Sequence, residues 1–201
     1  MENIKAFLKR KDIVISGKRY GIDALGAMAQ GLFCSLLIGT IVKTLGEQAG
    51  LPFLVDVGAY ASAMSGAAMA IAIGCALKAP PLVLFSLAAV GYAANALGST
   101  TLSGEPGAGG PLAVLFIAII AAEFGKAVSK ETKIDILVTP LVTILAGVGL
   151  SALIAPAIGT AATAVGNVIM WATDLQPFFM GIIVSVVIGM ALTLPISSAA
   201  I

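Results

Sequence analysis

Apolar positions in this chain do not alternate with polar ones at the period of a strand. They come in runs long enough to cross a bilayer, parted by short breaks of Pro, Gly or charge, which predicts transmembrane helices and excludes a β-barrel. The first run covers residues 22–45, with Asp23 and Lys43 as its only charges. In the second, 56–77, Gly58, Ser62, Gly66, Ala70 and Gly74 recur every fourth residue. That spacing lays a stripe of small side chains on one helix face, where another helix can approach closely. The third run is 82–98. The fourth, 112–128, follows Pro111, which suits a first helical position. The fifth is 136–158, with Pro140 and Pro156 as predicted kinks. Residues 159–174 are too interrupted by Gly and polar residues to cross, and predict an interfacial or re-entrant segment ending near Trp171. The sixth run, 176–194, carries no charge and as a helix would rise roughly 28 Å, about the thickness of the hydrocarbon core.

The pattern predicts an all-α, polytopic membrane protein of about six transmembrane helices plus the interfacial or re-entrant segment. Composition agrees: 59% of residues are hydrophobic, 10% are charged, and the mean hydropathy is +1.08, against roughly 25% charged in soluble domains. A net charge of +1 offers no field for nucleic acid. Cys34 and Cys75 fall inside predicted spans and read as small packing residues.

Charge sets an orientation. Residues 1–21 hold Lys5, Lys9, Arg10, Lys11, Lys18 and Arg19 against Glu2 and Asp12, which predicts a cytoplasmic face. Ile4, Phe7 and Leu8 share one helical side, so this N-terminal segment predicts an amphipathic helix on the lipid surface, ahead of a transmembrane domain over 22–201. A cleaved signal peptide does not fit, because the following apolar run is too long and no processing site or soluble domain comes after it. Of the eleven basic residues only Lys43 falls on the opposite side, given that Lys126, Lys130 and Lys133 form a second cytoplasmic loop.

Candidate chemistry is sparse. After residue 194 the last run breaks at Pro195 amid Thr193, Ser197 and Ser198. Unpaired backbone at membrane depth is tolerated where it lines a wet cavity, so the break is a candidate site; alternatively, the hydroxyls satisfy the carbonyls of a helix reaching the interface. Glu123 and Lys126, three apart, predict an ion pair at the cytoplasmic end. Asp56 and Asp174 read as helix starts. The amides of Asn95 and Asn167 need partners, in the protein or in a substrate, and Asn167 is taken as a candidate near a substrate path. The Gly-rich stretch 99–110 matches no phosphate-binding pattern. No metal-ligating set and no cofactor is predicted.

Three stretches carry a resemblance: KRYGIDALGAMAQGLF, TKIDILVTPLVTILAGVG and, most specifically, GNVIMWATDLQPFFMGIIVSVVIGMALTLPISSAAI over 166–201. The chain resembles the IIC-type membrane proteins of the bacterial phosphoenolpyruvate-dependent sugar phosphotransferase system, in a IIC-like branch distantly similar to fructose-type members. In those members a helix rich in Gly and Met leads to a Gly-Pro turn and a polar pair on the sugar path. The resemblance implies that Thr193, Pro195, Ser197 and Ser198 contact the substrate. Fructose-type members carry an acidic residue before the turn and a Lys after it, where this chain has only neutral groups, so fructose is not carried over. Family chains are longer, and this one reads as truncated at its C-terminus.

The resemblance implies a permease component in a bacterial plasma membrane, a homodimer with its N-terminus in the cytoplasm, that binds and translocates a sugar. The chain has no His, so it offers no catalytic phosphotransfer residue and is at most the membrane subunit of a sugar phosphotransferase, served by separate IIB and IIA subunits. The alternative is an uncoupled facilitator or membrane sensor for a small polar metabolite on the same fold.

Overall fold

The computed structural model of the chain describes residues 2–173, 180–182, 185–186 and 189. Among them the regular structure is helical, apart from one isolated bridge between Thr100 and Pro106. The helices are α1 (Glu2–Arg10), α2 (Arg19–Ala49), α3 (Pro52–Ala63), α4 (Ser65–Ala76), α5 (Pro81–Gly98), α6 (Gly110–Val128) and α7 (Asp135–Thr173). Four of them, α2, α5, α6 and α7, are long and apolar enough to cross a membrane, and α3 with α4 makes a fifth if the bent pair counts as one span. The chain is an all-α polytopic membrane protein. Most of the sixth predicted run lies outside the described residues.

The second predicted span is not straight. It bends by 46° between α3 and α4, at Met64, whose φ of −85° and ψ of 4° leave the helical well. The bend divides the small-residue stripe between two partners. A Cβ on Gly58 would fall against the backbone of Gly39 and Lys43 in α2, whereas one on Gly66 would strike the Gly91 carbonyl in α5. The Ser62 hydroxyl lies against Gly39. One face thus serves two helix contacts, with backbone close to backbone in each.

Of the interfacial or re-entrant segment expected over 159–174, the re-entrant form is corrected: residues 159–173 prolong α7, which continues through Pro140 and Pro156. Gly159 is a contact glycine rather than a stop, since a Cβ there would collide with the Thr100 carbonyl and lie 2.7 Å from that of Gly98. The hydroxyls of Thr160 and Thr163 fold back on the helix. Thr160 Oγ1 donates to the Pro156 carbonyl at 2.9 Å, and Thr163 Oγ1 to that of Gly159 at 2.9 Å. Both cysteines are exposed on the chain's surface and so are not internal packing residues.

The core lies where α4, α5 and α6 meet, around Met69, Ile73, Leu77, Val83, Leu87, Val114 and Ile117, with Ala155 of α7 closing it. Small residues keep these helices close: Gly147 of α7 abuts Val90, and Gly125 of α6 abuts Val83 and Thr143.

At one end of this core the basic segments gather as expected. Lys126 is 2% exposed, and its Nζ donates to the carbonyls of Asp12 (2.8 Å) and Leu77 (3.0 Å). It also pairs with Glu123 Oε2 at 2.9 Å. That oxygen has no well-directed hydrogen bond, so the pair is coulombic, while Oε1 accepts from Tyr20 OH at 3.1 Å. Arg19 Nη2 donates to Asp12 Oδ2 (2.8 Å) and to the Leu77 carbonyl (2.7 Å). Two cations therefore meet the carbonyl end of α4, where the helix dipole favours them. Lys11 donates to the Ser129 carbonyl and pairs with Glu131 at 2.6 Å.

Hydrogen bonding to Arg19 holds the Asp12 carboxyl below the usual carboxylate range, and Lys11 does the same for Glu131. A carboxyl lowered in the folded state contributes stability above its unfolded value and loses it as pH falls through the folded one, so this end is intact at neutral pH.

Candidate functional site

At the other end of α5 lies a cavity of about 600 Å³, within the roughly 300–1,000 Å³ of small-molecule sites. Five segments build it. The bend places Ser65 at the start of α4; the last turn of α5 and its cap bring Asn95 and Ser99; the folded loop and the start of α6 bring residues 106–108, 110 and 111; α7 brings Thr163, Gly166 and Asn167; and α2 adds Leu32 and Leu36. Leu36 belongs to a π-helical turn, Phe33–Leu37, an irregularity that often marks functional positions in long helices. Residues 163, 166, 167 and 170 are spaced to share one face of α7.

Local chemistry explains each placement. Asn95 Nδ2 donates to Ser65 Oγ at 3.5 Å, the long limit for such a bond, so the amide is weakly held. Its Oδ1 lies against Gly110, where a Cβ would come within 2.6 Å of it. Gly110 therefore lets the start of α6 approach the amide. The loop between α5 and α6 is folded: Thr101 N–H donates to the Glu105 carbonyl at 2.8 Å, Gly104 takes φ 83° at the tip, and Gly107 N–H donates to the Ser99 carbonyl at 2.8 Å. Leu102 N–H reaches across to Thr160 Oγ1 at 3.0 Å, pinning the loop to α7.

Among the described residues, none that lines the cavity is charged. It offers amides, hydroxyls and the N-terminal ends of α4 and α6, set among Leu, Ile, Met and Pro. Such a set can exchange hydrogen bonds with a neutral polar molecule and provides no counter-charge for an ionic one. Among the described residues no group of His, Cys, Asp and Glu could hold a metal ion.

Of the sequence-predicted site residues, Asn167 lines this cavity and is exposed within it. Thr193, Pro195, Ser197 and Ser198 lie outside the described residues. Sequence reasoning missed Ser65, Ser99, Thr163 and the loop. The signal for them is the Gly-rich run at 99–110, which matches no phosphate loop but whose glycines allow close backbone approach to α5 and α7.

The family model described as "Phosphotransferase system, EIIC" matches residues 22–201. No curated protein and no solved structure matches the chain.

Proposed function

Since the chain belongs to the EIIC family of the phosphotransferase system, as a permease component for sugar, we propose that the cavity between α2, α4, α5, α6 and α7 receives an uncharged sugar or polyol. A separate cytosolic IIB-type subunit, itself charged by a IIA-type one, then phosphorylates it. The observation that carries this reading is the uncharged lining among the described residues: two amides and three hydroxyls suit a polyhydroxy molecule, whereas a sugar phosphate would find no cation among them. A broken helix beside the cavity fits transport, because interrupted helices expose backbone donors and acceptors where a substrate passes. In this reading Asn167 contacts the substrate directly, and Thr193, Pro195, Ser197 and Ser198 complete the path. The protein works as a homodimer in a bacterial plasma membrane.

The test is a binding screen of neutral hexoses, hexitols and their phosphate esters on the purified full-length protein. Neutral compounds are expected to bind and the esters not; preference for the esters would refute the reading. Asn95→Ala and Asn167→Ala should each weaken binding by up to about tenfold, since a hydrogen bond contributes about 0.5–1.5 kcal/mol and 1.4 kcal/mol is a factor of ten. Both variants should melt as the parent does, because Ala fits the space. Vesicles supplied with phosphoenolpyruvate and cytosolic extract should release sugar phosphate; uptake of unmodified sugar alone would identify an uncoupled facilitator.

In the same reading the basic end faces the cytoplasm. A Thr132→Cys label site, in a background lacking Cys34 and Cys75, should resist an impermeant maleimide added to intact cells and react after lysis. Labelling from outside would invert the topology.

A further inference from the structure

Three non-glycine residues have left-handed backbone among the described residues: Asp12 (φ 52°), Lys78 (φ 56°) and Lys130 (φ 62°). All three line one cavity, of about 430 Å³, at the basic end. Each occupies a position where glycine is the ordinary choice. Asp12 and Lys78 close α1 and α4 in Schellman fashion, Ile13 N–H donating to the Leu8 carbonyl and Ala79 N–H to that of Gly74, both at 2.9 Å. Lys130 is the third residue of a turn closed by Glu131 N–H on the Val128 carbonyl at 3.2 Å, after Ser129 at φ −56° and ψ 135°. That is type II geometry, which favours glycine at Lys130. Three separate turns thus keep a charged residue against local preference, and all three charges border one space. Strain gathered in this way marks functional positions.

Accounting for the charges identifies what the cavity lacks. Lys126 is saturated by two carbonyls and Glu123. Arg10 and Lys11 share Glu131, and Asp12 is taken by Arg19. The ammonium groups of Lys78 and Lys130 have no ion pair and no side-chain hydrogen bond among the described residues. The two cations left over are therefore the two lysines on strained backbone. A phosphate group, with non-bridging oxygens that accept from more than one cation, is the kind of partner both lysines lack.

The surroundings indicate the source of that phosphate. Val14 and Ile15, 47% and 80% exposed, lie two and three residues after Asp12, and Ile134, Ile136 and Leu137 stand exposed just beyond the Lys130 turn. The segment before the cavity is the short amphipathic helix α1, a form that lies along a lipid surface. A cationic recess bordered by aliphatic surface matches a molecule that is anionic at one end and apolar along the rest. We propose that this recess is a binding site for the phosphate of an anionic phospholipid, held by Lys78 and Lys130, with its acyl chains along the exposed aliphatic residues.

The test uses the full chain purified in neutral detergent, with phosphatidylglycerol, phosphatidylcholine or inorganic phosphate added, read by melting temperature and by native mass spectrometry. Phosphatidylglycerol is expected to raise the melting temperature by several degrees and to remain bound at one per chain, whereas phosphatidylcholine and inorganic phosphate do neither. The variant Lys78→Gly/Lys130→Gly keeps backbone that suits both turns, so without lipid it should melt no lower than the parent, and its affinity for phosphatidylglycerol should fall at least about tenfold. Lys43→Gln, at the opposite end, should keep the full response. The proposal is overturned if the double-glycine variant retains the lipid effect, if it melts lower without lipid, or if inorganic phosphate alone reproduces the shift.

Discussion

Lys126→Met is expected to lower the stability of the purified chain by about 3–5 kcal/mol, the loss that follows when one partner of a buried ion pair is removed. Its ammonium is almost fully enclosed and meets three acceptors contributed by three parts of the chain: Asp12 between α1 and α2, Leu77 at the end of α4, and Glu123 in α6. Methionine fills the volume but donates nothing. The Glu123 carboxylate would be left with Tyr20 OH as its remaining partner, and the Asp12 carbonyl would lose the donor that Lys126 supplied. The Leu77 carbonyl would keep Arg19.

The double variant Glu123→Gln/Lys126→Met should recover part of the loss, because neither charge is then stranded. Arg10→Ala provides the contrast, since its pair with Glu131 is 64% and 40% exposed and such pairs contribute about 0–1 kcal/mol. Thermal melts of the four proteins decide the matter. If Lys126→Met and Arg10→Ala cost the same, Lys126 does not bind these segments together.

Gly66→Leu should be nearly as damaging, for a steric reason. A Cβ at this position would fall 2.5 Å from Asn95 Cβ and closer still to the Gly91 carbonyl, where the backbones of α4 and α5 almost touch. Overpacking ordinarily costs about 1–3 kcal/mol when side chains can shift. Here the obstacle is main chain, so a result at or above the top of that range is expected. Gly149→Leu is the matched control, also a glycine within a helix, with nothing within 4 Å of its Cβ position. Leucine there should be neutral or slightly stabilising, as it lowers the conformational freedom of the unfolded chain and is a better helix former. Equal melting of the two variants would mean that α4 and α5 do not cross at Gly66. Because Asn95 also lines the cavity, Gly66→Leu should weaken sugar binding per folded molecule as well, a coupling that Gly149→Leu would not show.

Much of the architecture was legible because the bilayer imposes length. The apolar runs 82–98 and 112–128 match α5 and α6 to within two residues, since a predominantly apolar run of that length has no other stable state in lipid. The Glu123–Lys126 pair was legible too, because spacing by three on a helix puts the two groups in reach whatever surrounds them. The gathering of basic residues followed from counting them by loop. What those cations touch did not, as each partner lies tens of residues away in the chain: Lys126 meets Leu77, and Lys11 meets Ser129 and Glu131.

The errors share one cause. Small residues have the same appearance in sequence whether they end a helix or admit a neighbour. Gly159 looks like an interruption in sequence, yet it is where the carbonyls of Gly98 and Thr100 approach α7. The stripe from Gly58 to Gly74 has the spacing of one contact surface, but a bend at Met64 shares it between α2 and α5. Asn167 could be singled out from the cost of an amide at membrane depth, whereas Ser65 and Thr163 could not, because a hydroxyl on a helix can satisfy itself on a backbone carbonyl. The sequence by itself determined the solvent, the class of fold, most of the spans and the side on which charge collects, since these follow from local composition and hydrogen-bond satisfaction. Only the tertiary structure decided where the helix breaks, which glycines are contacts and which neutral side chains enclose a cavity, because those depend on the close approach of segments that the chain order keeps far apart.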